Sequence, residues 1–236
     1  MASAASAWDR LGNHLRETQL LGSIQSTLYW DQNTRMPSGG APWRGEQLTL
    51  LAQQLHARQS SSHYAGLVAE ARQAWRSGER CPAQSRNLDL LEQDLRRQQA
   101  LDPDLVGAIA TAKAKGYNCW QQARATSDFA SFAPALQTLV DLRQEQARQL
   151  QEPRSCWETL AQPFEPDLNL QRLQDLFVPL REQLPQLVQD TKTIARSRSV
   201  DWELDEPLQQ MLCEQLLQAW GRDPAITCMA RSPHPF

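Results

Sequence analysis

Four histidines, His14, His56, His63 and His234, are the imidazoles this chain can offer for metal ligation or proton transfer. A helical zinc hydrolase needs two histidines one turn apart and a carboxylate base beside them, the pattern His-Glu-x-x-His. None of the four is followed by Glu, and no two of them stand four apart. His56 and His63 are seven apart, a spacing that shares one face of a continuous helix, but Ser60, Ser61 and Ser62 are expected to end the helix between them. The 236 residues thus carry no self-contained zinc site. Five cysteines (Cys81, Cys119, Cys156, Cys213 and Cys228) are odd in number and widely spaced, without a C-x-x-C, as expected of reduced thiols in the cytoplasm. No G-x-S-x-G elbow and no phosphate-binding Gly-Lys-Ser/Thr loop occurs. The acidic pairs Asp102/Asp104 and Asp205/Glu206 sit where helices should start, and there they complement the helix dipole.

Two stretches mix aromatic and polar groups densely enough to suggest a site. Residues 28–48, LYWDQNTRMPSGGAPWRGEQL, place Asp31, Gln32, Arg44 and Gln47 around a tight Pro/Gly bend, with Trp30 and Met36 as large apolar groups. The same pattern also describes a plain helix–loop–helix corner, in which the polar groups satisfy loop backbone. Residues 120–134, WQQARATSDFASFAP, offer Trp120 and a helix start at Ser131 across which Phe129 and Phe132 can pack.

The elements that must position these residues are helices. Apolar residues Trp8, Leu11, Leu15, Leu20, Leu21, Ile24 and Leu28 recur mostly three or four apart, predicting a helix over 7–28. Further helices are expected over 43–59, 62–77, from Pro82 onward, 103–125, from Ser131 to 150, 170–196 with a joint before Pro185, and 207–220 ended by Gly221. ITCM, residues 226–229, reads as the one strand-like segment, so the fold class is all-α.

Composition fits a globular chain: 41% apolar residues, with 24 basic against 27 acidic side chains for a net charge of −3. No basic stripe is present, which argues against nucleic acid as a partner. Nothing approaches the ~20 consecutive apolar residues of a membrane span, and no signal-peptide core precedes Asp9 and Arg10.

The segment LLGSIQSTLYWDQNTRMPSGGAPWRGEQLTLLA resembles the N-terminal signature of the carboxypeptidase Taq family of metallocarboxypeptidases. The matching positions are Trp30, Asp31, Gln32, Thr34, Met36, Pro37, Gly39, Gly40, Arg44 and Gln47. LDPDLV, WQQARATSDFASFAPALQTLVDL and FEP follow in the family's order, and SPHPF is similar to its His-Pro-Phe motif at His234, Pro235 and Phe236. Departures are Trp157-Glu158 for Tyr-Asp, Asp167 for Gly and Ala230 for Asp.

The resemblance implies that residues 1–236 form a multi-helix array, the N-terminal half of a larger mainly helical peptidase. A His-Glu-x-x-His helix and a further Glu, holding zinc or another divalent metal, would then follow Phe236. No catalytic, metal or cofactor residue is carried over onto this chain. Trp30, Asp31, Gln32, Met36, Pro37, His234 and Phe236 are the family-motif positions expected near a cleft. Peptide substrates are expected only with the C-terminal half present, and a homodimer is one assembly the resemblance allows. The expectation is a truncated family member, inactive alone and exposing an apolar patch that favours self-association. The rival is a non-catalytic helical module, either an interaction protein or the partner of a separate C-terminal half.

Overall fold

The computed structural model describes residues 6–78, 80–166, 168–194 and 203–234. Among them lie nine α-helices and no strand, which is the all-α class. Helix α1 (Ala7–Thr34) starts at a reciprocal cap: Ser6 Oγ accepts from the Asp9 N–H, and the Asp9 carboxylate accepts from the Ser6 N–H. It runs to Thr34, well past the expected end at Leu28, because no glycine or proline interrupts WDQNT. The stop comes at Met36, which the following Pro37 turns away from helical geometry. A single 3-10 turn, Ser38–Gly40, leads into α2 (Ala41–Ser60), with Pro42 in its first turn.

Ser61 ends α2 and caps α3 (Ser62–Ser77) through the Tyr64 N–H, so the serine run separates His56 from His63 as expected. Proline opens both α4 (Pro82–Gln99) and α5 (Pro103–Thr126), the latter capped by Asp102. Helix α6 (Phe129–Leu150) begins ahead of Ser131, because Asp128 takes the cap and accepts from the Ser131 N–H. Phe129 and Phe132 do meet across this start, edge to face with centroids 6.2 Å apart. Helix α7 (Cys156–Ala161), with a reciprocal Ser155/Glu158 cap, is too short for a periodic signal and was not foreseen. Helix α8 (Leu170–Ile194) stays helical through Pro179 and Pro185, without the expected break. Helix α9 (Glu206–Ala219) is capped by Asp205.

Residues 226–229 form no strand. Asp223 folds back on the Ala225, Ile226 and Thr227 N–H groups, and no partner strand exists among the described residues.

The chain divides into two compact units, Met1–Ala161 with Pro233–Phe236, and Gln162–Ser232. The first unit has two packed regions. Leu11, Tyr64, Leu67, Val68, Ala71, Leu88 and Leu95 join α1, α3 and α4. Helices α2, α5 and α6 pack through Leu48, Leu105, Ile109, Ala110, Ala114, Ala123 and Ala147. Small residues let α2 and α5 approach closely: a Cβ at Gly45 would touch Ala114 at 3.6 Å, and one at Gly107 would meet Gln53 at 2.8 Å.

The second unit differs in kind. Helix α8 has no buried residue among those described, and Leu176, Phe177, Leu180, Leu184, Leu187 and Val188 are all exposed along it. These positions recur three or four apart, one apolar stripe facing outward. Helix α9 likewise exposes Leu208, Met211, Leu212 and Leu216. No described helix is long and apolar enough to cross a membrane.

Candidate functional site

The stretch around Trp30 builds two different things on the two sides of α1. On one side is a corner. Arg44, largely buried, donates to the Asp31 carboxylate at 2.6 Å, to the Leu28 carbonyl at 2.5 Å and to Gln47 Oε1 at 3.0 Å. The Asp31 carbonyl accepts the N–H groups of both Arg35 and Met36 at 2.9 Å, closing the helix end. Met36 lies against Gly40, where a Cβ would come within 3.2 Å of its Cγ, and the Arg35 guanidinium sits 5.6 Å from the centre of the Trp30 ring. Pro37 is exposed and leads into the 3-10 turn. Asp31, Met36 and Pro37 thus shape the corner between α1 and α2.

On the other side, Tyr29, Gln32 and Asn33 face α5 and α6 and line a cavity of about 280 Å³. Its remaining wall includes Lys113, Tyr117 and Trp120 of α5 and Phe132, Leu136 and Leu139 of α6. Gln32 is 7% exposed, and its Oε1 has no hydrogen-bond partner. The Lys113 ammonium lies 5.4 Å from the centre of the Tyr29 ring. Burial, and then the positive charge of Arg143, lower the Lys113 pKa; burial also lowers that of Arg143 and raises that of the Tyr29 hydroxyl.

His234, the first residue of the His-Pro-Phe motif, comes to α5. The His234 ring meets Trp120 edge-on, centroids 5.6 Å apart, and Arg124 lies 5.4 Å over Trp120 while donating to the Pro233 carbonyl. Pro235, Phe236 and Asp167 lie outside the described residues. Trp120 therefore unites two of the positions expected near a cleft: it walls the cavity that Gln32 enters, and it supports His234. Trp30, Asp31, Met36 and Pro37 do not line that cavity.

Lys113, Tyr29 and Arg143 escaped the sequence reading. A signal did exist. Only three of the 24 basic residues are lysines, and Lys113 and Lys115 are two of them, two positions apart in an otherwise small-residue segment of α5.

The histidines do not assemble a metal centre. His56 Nδ1 is 3.1 Å from Gln98 Oε1, and His14 stacks on Tyr64 with centroids 4.9 Å apart. The His14 and His63 rings are 5.8 Å apart, and the buried His14 Nε2 is unpartnered. No third ligand joins them, and no group of three or more His, Cys, Asp or Glu among the described residues could hold a metal ion. The described residues thus do not fit a catalytic divalent cation.

The helical architecture and the corner signature together define a fold of the metallocarboxypeptidase type. The structure is similar to that of Trypanosoma cruzi metallocarboxypeptidase 1, with a TM-score of 0.77 at 24% identity over 98% of this chain and 47% of that one. It superposes on the crystal structure named BsuCP with a TM-score of 0.85 at 19% identity, over 95% of this chain and 45% of that one. The carboxypeptidase Taq (M32) metallopeptidase model matches residues 10–236, and the chain belongs to that family. Thermostable carboxypeptidase 1 of Thermus thermophilus is 25% identical over 98% of this chain and 48% of its own length. Carboxypeptidase 1 of Bacillus subtilis is 20% identical over 89% and 42% respectively. The chain spans about half the length of the curated relatives it matches.

Proposed function

We propose that these 236 residues supply the N-terminal helical wall of a metal-dependent carboxypeptidase, and that they do not hydrolyse peptides by themselves. The observation that carries this reading is a disparity. The family model extends over residues 10–236, whereas no His-Glu-x-x-His occurs in the sequence. A metal-activated water needs protein ligands and a nearby carboxylate base. In this reading both come from sequence of the kind that fills the other half of the relatives, with zinc or another divalent cation as the metal. Peptide substrates then engage only when that half is present, and the chain's own part is to hold the corner and the Trp120–His234 contact.

The five cysteines, all free thiols, favour a reducing compartment, the cytoplasm. The outward apolar stripe of α8 favours a covering surface, supplied either by a metal-bearing half or by another helical partner. Co-expression with the C-terminal half of a family relative tests the choice. Restored release of C-terminal residues supports the wall reading. A stable complex that remains inactive, although the same half is active with its own N-terminal part, supports a non-catalytic module.

A further inference from the structure

We propose that the groove between α2 and α5 is the seat of an amphipathic helix from the metal-bearing half of the peptidase. The inference rests on the wall reading above and deepens it, by naming where on this wall the other half docks and what kind of segment it brings.

The groove follows from how the two helices meet. Gly45 lies opposite Ala114, Thr49 bonds to Thr111 at 3.1 Å, and Gly107 lies against Gln53, so residue numbers rise along α2 as they fall along α5. The pair is antiparallel, and small side chains hold it together. They also leave space above the seam: a cavity of about 900 Å³ lies over it, with Gly45, Thr49, Thr111 and Ala114 in its lining. That lining reaches from Ala41 to Gln53 along α2 and from Thr111 to Ala125 along α5, roughly 20 Å at 1.5 Å per residue. About 13 helical residues span that length, and small residues at the seam let a third helix approach to the usual 8–10 Å.

The lip of the groove argues against a small ligand. Leu50 lines the cavity and is 57% exposed, and Trp43, seven residues earlier and therefore on the same edge of α2, is 67% exposed. A compact molecule at the seam would leave both in water, whereas a helix laid along the groove covers them. Charge describes the occupant further. Glu46 on α2 and Lys115 on α5 flank the groove at one level of the antiparallel register, and among the described residues neither forms an ion pair. The rest of the polar lining is neutral, Gln53, Asn118 and Gln122 among it. The helix that fits has an apolar stripe, a basic residue on the flank towards α2 and an acidic one towards α5. The relatives have chain to supply it: 48% of one and 42% of another are covered by this chain, which leaves more than half of each unmatched.

The test uses the full chain and the C-terminal half of a family relative, one that pairs with its own N-terminal part, with the complex measured by size-exclusion chromatography and calorimetry. Leu50→Arg and Ala125→Trp change exposed groove positions and should weaken the complex by about tenfold or more. Gln73→Arg, at an exposed position of α3 that does not line the groove, should leave it unchanged. Circular dichroism and the melting temperature check that each variant is folded. Photo-crosslinking side chains at Gln53 and at Gln122, near opposite ends of the groove, should capture one partner helix at two sites roughly 15 residues apart. The proposal is overturned if the folded groove variants bind like the parent, if Gln73→Arg weakens the complex as much as they do, or if the two crosslinks fall on different segments. It is also overturned if the pure chain is a dimer that Leu50→Arg dissociates, which would give the groove to a second copy. A complex indifferent to the groove variants sinks this inference alone, whereas no complex with the parent chain sinks the wall reading with it.

Discussion

Arg44 is the side chain on which the corner between α1 and α2 turns. It satisfies a helix carbonyl, a carboxylate and an amide at once, and its flat guanidinium reaches all three where an ammonium cannot. Arg44→Ala should cost about 2 kcal/mol, a figure kept modest because Asp31 is more than a third exposed. Arg44→Lys should recover less than half of that loss; chemical denaturation of the three proteins measures both, and equal stability of Arg44→Ala and parent would remove the corner's role. His14 sets a different test. Burial first, then the charges of Arg58 and His63, lower its pKa from the ordinary 6.5, while Glu17 acts in the opposite direction. Below about pH 6.5 the unfolded chain takes up a proton that the folded one refuses, so this contribution to stability is lost as pH falls from 6.5 to the lowered value. The melting temperature of His14→Phe should therefore fall less between pH 7.5 and 5.5 than that of the parent; parallel profiles would show that His14 does not titrate between folded and unfolded states.

At the scale of elements, the helices that bury a face were legible and the joints between them less so. Leu48, Leu88 and Ile109 stand on clear helical periods and are buried. The ends of α1 and α6 were misplaced because a helix continues until backbone chemistry stops it, at Met36-Pro37 and Asp128, whatever the apolar pattern does. Gln32 was flagged in the sequence, but Lys113 and Trp120 of α5 and Phe132 of α6, which line the same cavity, come from other helices and meet it only through packing. Leu88, with no exposure, should cost about 3 kcal/mol on truncation to Ala, measured by urea unfolding; a loss below 1 kcal/mol would mean that the α1–α3–α4 region is loosely packed. Helix α8 has the opposite character: its apolar stripe is clear in the sequence, yet no described residue of it is buried. With so little burial to hold it closed, α8 should open at low free energy. Limited proteolysis of the pure chain should cut first within residues 162–232 and leave a resistant core close to 6–161, whereas first cuts inside α2 or α5 would reverse that ranking.

For the whole molecule, the sequence carries family membership far more clearly than activity. Ten signature positions between Trp30 and Gln47 sufficed for the resemblance, because a tight corner fixes many residue types at once. Chemistry needs only a few residues, and no His-Glu-x-x-His is among these 236. The most direct test is a hydrolysis assay of the pure 236-residue chain on N-blocked dipeptides, with Zn²⁺ or Co²⁺ supplied and bound metal measured after dialysis. The account predicts no release of C-terminal amino acid and no stoichiometric metal. Sustained release by the chain alone, lost on chelation and regained with metal, would contradict it and would require a catalytic centre assembled from residues of this sequence.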